Sequence, residues 1–477
     1  MKKIIAILMT VTLLVGIFAT YSVSAAEESA EIAPDYSWYD AEETEFIITT
    51  EAQLLGLGYI TALVPGTDFE GKTIKLGDNI VLNEGNAADW ETNPPANILT
   101  ALPVFRGTFD GQGYSISGAY GDGSARTLGL LFGEISGNAC VKNLAIINSY
   151  FVTASSCGGI AGRVTNATEV RFENVYVDIL MVGDAWEAGG FVGSDHGANQ
   201  KVVFENCVSA VTFKLIPDGA AYIGGFIGYA GYATNGTMEF NNCLNVGTIH
   251  AQKRVGGIAG LANNVTFNKC VNLGKITGVT GGKLVAGIVG EGKKVDIVDC
   301  YIATDVMTTP LKDDTGNSAA GCLGTDATCS YVEFNSEMLK GDGATLMNKL
   351  DWEETWTTQE DELPTLKFVP VFLATAAEGP TDEGGNGENN GENNNENNNE
   401  NNGENNNENN NENNNENNNE NNTNTTPDTS ANTDANTDAT SETEAAKGGC
   451  VGSIGIAGVA MIALASGAAL VIKKKED

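Results

Sequence analysis

The chain has 477 residues, with 62 Asp and Glu against 26 Lys and Arg, for a formal net charge of −36. The sequence shows no basic patch, which argues against nucleic acid as a partner. Two histidines, His196 and His250, and nine cysteines without a paired Cys-x-x-Cys leave no zinc-type ligand set, so neither a metal nor another cofactor is expected.

Residues 1–26 read as a secretory signal peptide: Lys2-Lys3, an apolar run from Ile4 to about Ala19, then the small-residue cleavage site Ser24-Ala25-Ala26. Residues 27–104 form an N-terminal segment. In it, Thr50-Glu51-Ala52-Gln53 is a capping-box pattern opening an apolar helix to about Val64. A solenoid needs its open ends covered, and this helix is expected to plug the first one.

Residues 105–304 carry the repeat. Gly-Gly-apolar-x-Gly recurs at Gly158-Gly159, Gly189-Gly190, Gly224-Gly225 and Gly256-Gly257, with a weaker copy at Ala286-Gly287. The second glycines, Gly159, Gly190, Gly225, Gly257 and Gly287, are spaced by 31, 35, 32 and 30 residues. A period in this range marks stacked structural units. Within one unit, Thr237–Phe240 alternates, Asn241-Asn242-Cys243 interrupts, and Leu244–Ile249 alternates again. Short β-patterned runs broken by Gly and Asn predict an all-β, right-handed parallel β-helix. The leucine pattern of leucine-rich repeats is absent, propeller blades are longer, and a sandwich would not need regular repeats.

One column of equivalent positions is explicit in the repeat. Lys142-Asn143-Leu144, Glu173-Asn174-Val175, Glu205-Asn206-Cys207, Asn241-Asn242-Cys243, Asn268-Lys269-Cys270 and Val298-Asp299-Cys300 share a register. A position that accepts Leu, Val and Cys points inward, so Cys207, Cys243, Cys270 and Cys300 are expected as core thiols. A metal ladder or stacked disulfides are the sharper readings, but parallel Cβ vectors suit the S–S torsion poorly. The Asn before each cysteine is expected to turn the chain and to bond its neighbours along the ladder. The repeated glycines are expected to make tight corners at positive φ. Cys322 and Cys329 are the expected disulfide, Cys140 and Cys157 stay open, and Cys450 sits at the start of the membrane segment.

The loops after each Gly-Gly phrase are expected to stack on one side. They would present Arg163, Asn166, His196, Asn199, Tyr229 and Tyr232 to a ligand, with Trp186 and Tyr222 as a competing patch. No catalytic residue is assigned. Asp110 sits in an Asp-Gly turn, Asp184, Asp195 and Asp218 lie in different loops, and Asp195-His196 has no nucleophile motif beside it.

Residues 305–375 are a C-terminal capping region. The segments around Ser336–Leu339 and Leu346–Leu350 are expected to close the last rung, with Leu363–Leu366 as a final strand. Residues 376–447 are Asn/Glu-rich, with glutamate at every fourth position from Glu388 to Glu420. Such a tract buries too little apolar surface to fold and is expected as a disordered acidic stalk. Residues 448–472 contain the uncharged run Val451–Ile472, long enough for one transmembrane helix across about 30 Å of hydrocarbon. Lys473-Lys474-Lys475 would keep the tail, residues 473–477, in the cytoplasm.

The repeat region resembles the bacterial GLUG-motif surface proteins with a pectin-lyase-like β-helix. Phe105–Ile116, reading Gly107-Thr108-Phe109-Asp110-Gly111-Gln112-Gly113, looks like one of their rungs. Asn242-Cys243-Leu244-Asn245-Val246-Gly247-Thr248-Ile249 and Lys269-Cys270-Val271-Asn272-Leu273-Gly274-Lys275-Ile276 look like half of their motif. The likeness spans roughly residues 47–370, and the tail is similar to clostridial surface proteins. It implies a β-helix displayed at a cell surface and says little about activity. The expectation is therefore a membrane-anchored, extracellular head for adhesion or for recognition of host, matrix or wall glycan or protein. A polysaccharide-cleaving β-helix enzyme and a non-binding structural surface protein are the alternatives.

Overall fold

The structure, a computed structural model, describes residues 31–123, 129–215, 222–231, 236–305 and 322–377. The signal peptide, most of the stalk, the apolar C-terminal run with Cys450, and Asp218 and Tyr232 lie outside these residues. So do the side chains of Cys322 and Cys329, whose backbone is in the strand Cys322–Phe334. Among the described residues no helix is long and apolar enough to cross a membrane.

Strands in successive repeats pair in parallel and in register, as the period requires. Phe46, Ile74, Phe109, Val141, Phe172, Phe204, Phe240, Phe267 and Ile297 form one continuous inward column. All are buried. Their rings stack along the axis: Phe172 and Phe204 lie 4.6 Å apart, Phe204 and Phe240 4.5 Å, and Phe240 and Phe267 5.0 Å, each pair within 10° of parallel. Burying each such ring stabilises the fold by about 1.5–3 kcal/mol, and stacking adds roughly 0.5–1.5 kcal/mol per pair.

The asparagine–cysteine column runs beside it. Leu144, Val175, Cys207, Cys243, Cys270 and Cys300 are fully buried, and the four thiols are free. Each thiol donates to a phenylalanine carbonyl of the preceding rung: Cys207 to Phe172 at 3.4 Å, Cys243 to Phe204 at 3.7 Å, Cys270 to Phe240 at 3.4 Å and Cys300 to Phe267 at 3.5 Å. A small hydrophobe with a weak donor meets both demands of this site. Burial pushes the Cys243 and Cys300 thiols well up.

The residues ahead of the column turn the corner with left-handed backbone. Asn143, Asn174, Asn206, Asn242, Lys269 and Asp299 have φ of 50, 52, 52, 51, 54 and 51°. Asparagine tolerates this conformation, which costs other side chains about 1–2 kcal/mol. The asparagine side chains also bond rung to rung. Asn174 donates to Asn143 at 3.1 Å, Asn206 to Asn174 at 3.3 Å and Asn242 to Asn206 at 3.2 Å.

The second asparagine of the motif turns inward. Asn245 and Asn272 are fully buried, bond each other at 2.7 Å, and accept from the backbone N–H of Gly247 and Gly274 two residues on. Gly247 is needed there because a Cβ would stand 2.3 Å from the carbonyl oxygen of Val211.

The Gly-Gly phrase works differently from the expectation. None of its second glycines has positive φ. A Cβ at Gly159, Gly190, Gly225 or Gly257 would instead stand 2.1–2.3 Å from the carbonyl oxygen of the equivalent glycine one rung on. Crowding between rungs, not conformational freedom, excludes side chains here.

At the N-terminal end the capping region folds as two short helices, Glu51–Leu57 and Ile60–Leu63. Thr50 caps the first by accepting from the Gln53 N–H at 3.3 Å. The break falls at Gly58, whose missing side chain lets the carbonyl oxygen of Thr100 approach. Leu54, Leu55, Leu57 and Ile60 join the solenoid core with Phe46, Phe69 and Phe105.

The C-terminal region departs from the expected end position. It does not simply close the last rung. It folds back along the flank, where Val208, Leu244, Val271 and Tyr301 form an outward apolar row. Leu339, Met347, Leu350, Trp356, Leu366 and Val369 cover that row. The expected final strand is Thr365–Leu366, paired antiparallel with Trp356–Thr357. A helix not expected from the sequence, Phe368–Ala377, then reaches the early rungs, where Asn79 Nδ2 donates to the Thr375 carbonyl at 2.8 Å. The helix overruns the expected start of the stalk at residue 376.

Candidate functional site

The Gly-Gly bends stack into a line, and the outward side chains flanking that line converge. Tyr222 precedes the bend and Tyr229 follows it, yet their rings stack at 5.1 Å with 16° between planes. Outward side chains on a convex corner would splay. The bend is therefore re-entrant, and the line of bends is a groove along the solenoid.

Register fixes its walls. Before the bend run Ser156, Glu187 and Tyr222, with Arg254 next in line ahead of Val255. After it run Glu134, Arg163, Ser194, Tyr229, Leu261 and Glu291. Of these, Arg163, Ser194, Tyr229 and Leu261 lie on the strands Ala161–Ala167, Val192–His196, Ile227–Ala230 and Ala259–Asn268. The expectation of ligand-presenting loops is thus corrected: Arg163, His196 and Tyr229 project from sheet. Asn166 and Asn199 are exposed corner residues at φ 48 and 56°.

One end of the groove is acidic and hydrogen-bonded. Glu187 is only 6% exposed. Ser156 Oγ donates to its Oε2, Ser194 Oγ lies 3.4 Å from Ser156 Oγ, and His196 Nε2 lies 2.9 Å from Ser194 Oγ and 3.7 Å from Glu187 Oε2. Burial works to raise the Glu187 pKa, but the bonds from His196, Ser156 and Ser194 outweigh it and hold the carboxyl below its ordinary range. Serine and carboxylate meet the same ring nitrogen, whereas a serine nucleophile relay needs the acid on the opposite one. As placed, the cluster holds an ionised carboxylate beside the groove. Trp186 is the extra residue of a bulge between Ala185 and Glu187 and stands 52% exposed, next in sequence to Glu187. Bulges of this kind re-aim side chains next to functional sites.

The other end is aromatic and carries Arg254, Glu291 and Lys293. The Arg254 guanidinium lies 4.9 Å from the Tyr222 ring centre and its Nε donates to Glu291. A depression of about 280 Å³ opens beside Tyr229, lined by Leu261, Asn263, Glu291 and Lys293. Among the described residues no group of His, Cys, Asp and Glu could hold a metal ion.

The structure thus brings Arg163, His196 and Tyr229 onto one groove wall and joins Tyr222, read from sequence as a rival patch, to Tyr229. Glu187, Ser156, Ser194, Arg254, Glu291 and Lys293 were missed. Their common signal was position: each lies within three residues of a Gly-Gly-x-x-Gly phrase or its weaker copy.

No family model and no curated protein matches the chain. Among solved structures, it is similar to a "putative immunoglobulin A1 protease" from Bacteroides ovatus, with 18% identity and a TM-score of 0.46 over 68% of this chain and 92% of that one. At that similarity nothing about activity passes to this chain.

Proposed function

We propose that this protein is a secreted, membrane-anchored cell-surface β-helix whose groove binds an extended glycan. The order of signal peptide, GLUG-like repeat, acidic stalk and apolar C-terminal run supports display at a surface. The observation that carries binding is the Tyr222–Tyr229 pair set in a groove with a depression beside it. Aromatic faces with a few amide and charged partners suit a sugar ring. The rungs repeat at about 4.8 Å, close to the advance of one pyranose unit along a glycan, so successive rungs can meet successive sugars.

The test is retention of the full chain, solubilised in detergent, on arrays of host and wall glycans. Tyr229→Ala and Trp186→Ala are expected to weaken retention about tenfold each, with unchanged melting. Equal retention by wild type and both variants, or none by any of them, would overturn the reading. A polysaccharide-cleaving role is favoured by one observation, the nearly buried, ionised Glu187 beside His196. Release of soluble product in the same assay would promote it.

A further inference from the structure

The charge of the groove names the ligand more closely, provided the glycan-binding reading holds. The chain as a whole is strongly acidic, yet residues 250–300 carry seven Lys and Arg against three Asp and Glu. These cations are spread over several faces of the rungs, with Lys269 at the asparagine–cysteine corner and Lys275 beside Thr248. Two of these cations stand at the groove. Lys293 is exposed at the mouth of the depression beside Tyr229. Arg254 is half-buried, stacked on Tyr222 and tied through Nε to Glu291. The guanidinium has five donors in a planar fork, and the Nε bond leaves the terminal ones to other acceptors. In register, Asn263 lies beside Lys293 and Leu261 beside Glu291, which gives an amide and an apolar edge between the charges.

A protein with a net charge of −36 repels acidic polymers at long range. Lys293 at the mouth of the depression offsets that repulsion where the ligand docks, and Arg254, beside Tyr222, balances the Glu291 carboxylate that shares the lining. Neutral glycan recognition would not call for them.

We infer that the depression beside Tyr229 takes an acidic sugar, its ring against Tyr229 and Leu261 and its carboxylate or sulfate at Lys293 and Arg254. Both anions share the chemistry of a multi-oxygen acceptor that a guanidinium fork and an ammonium can hold together.

The test uses affinity electrophoresis of the full chain in detergent with three polymers: polygalacturonate for carboxylate, dextran sulfate for sulfate, and unmodified dextran as the neutral control. Retardation by one or both acidic polymers but not by dextran is expected. It should weaken at least tenfold as salt rises from about 0.05 to 0.5 M, because screening shortens the reach of the charges. Lys293→Ala should weaken it about fivefold, the scale of one surface charge contact, with no change in melting since the side chain is exposed. Arg254→Lys separates charge from the planar fork and should weaken sulfate or carboxylate binding while keeping the salt dependence. Dextran bound as well as the acidic polymers, or Lys293→Ala without effect on acidic polymers, overturns the inference and leaves the glycan-binding reading standing. No retardation by any polymer, together with silent glycan arrays, removes both.

Discussion

Two sides of the same rungs are built by opposite rules. On the asparagine–cysteine side, the chemistry recurs from rung to rung: a left-handed corner at φ of 50–54° in all six, a side-chain amide bonded to the neighbouring rung from Asn143 to Asn242, and a thiol on the preceding rung's carbonyl from Cys207 to Cys300. On the Gly-Gly side, the backbone repeats just as closely, but the outward residues change from Ser156 to Glu187, Tyr222 and Arg254. Residues that bond along the axis must match their neighbours, so they repeat. Residues that face a groove bond to whatever enters it, so they can differ. Variation on a conserved backbone, not repetition, marks the working face.

The sharpest break of this contrast is at Gly225. A Cβ there would stand 2.1 Å from the carbonyl oxygen of Gly257 and 2.8 Å from Asn245 Oδ1. Both groups are fixed by neighbouring rungs and cannot yield. Gly225→Val is expected to cost more than about 4 kcal/mol, the range reached when packed backbone has to move. Urea denaturation measures it, and a loss below about 1 kcal/mol would show that the groove floor can relax.

Asn206 tests the repeating side. Asn206→Ala removes two ladder bonds and leaves an alanine at φ 52°. The expected loss is about 3–4 kcal/mol, from about 1 kcal/mol for each of the two bonds and 1–2 kcal/mol for the backbone. Asn206→Gly restores the backbone freedom and should recover part of it. If the two variants are equal, the backbone contributes nothing and the ladder alone stabilises the corner.

Glu187 gives the smallest stability effect and the clearest pH signature. Its folded-state pKa is lowered, so its contribution is fully present above the unfolded carboxyl value of about 4.3 and disappears as pH falls through the folded value. Melting followed from about pH 6 down to pH 3 should drop less steeply for Glu187→Gln than for wild type. Identical profiles would mean that the serine and histidine bonds do not favour the ionised form.

Much of this was legible along the chain. The Gly-Gly period, the inward Cys column, the turn-forming asparagines and the Thr50 cap are local properties: alternation, left-handed tolerance and capping act over a few residues. The stacked phenylalanine column was present in the alternation but not singled out, because an inward apolar position does not announce which neighbour it meets.

Other features depended on residues that sequence distance separates. The glycine role changed from positive φ to crowding, because the clashing carbonyl belongs to the next rung. The C-terminal segment left the expected end position because an apolar row, Val208, Leu244, Val271 and Tyr301, exists only once the rungs are stacked. The period and the faces of each strand follow from the order of side chains alone. The direction of the Gly-Gly bend does not. Its re-entrant turn needs the strand after the bend to press onto the strand before it, where a Cβ at Gly228 would stand 2.6 Å from the Tyr222 carbonyl oxygen, and that approach brings Tyr222 to Tyr229 and Glu187 to His196.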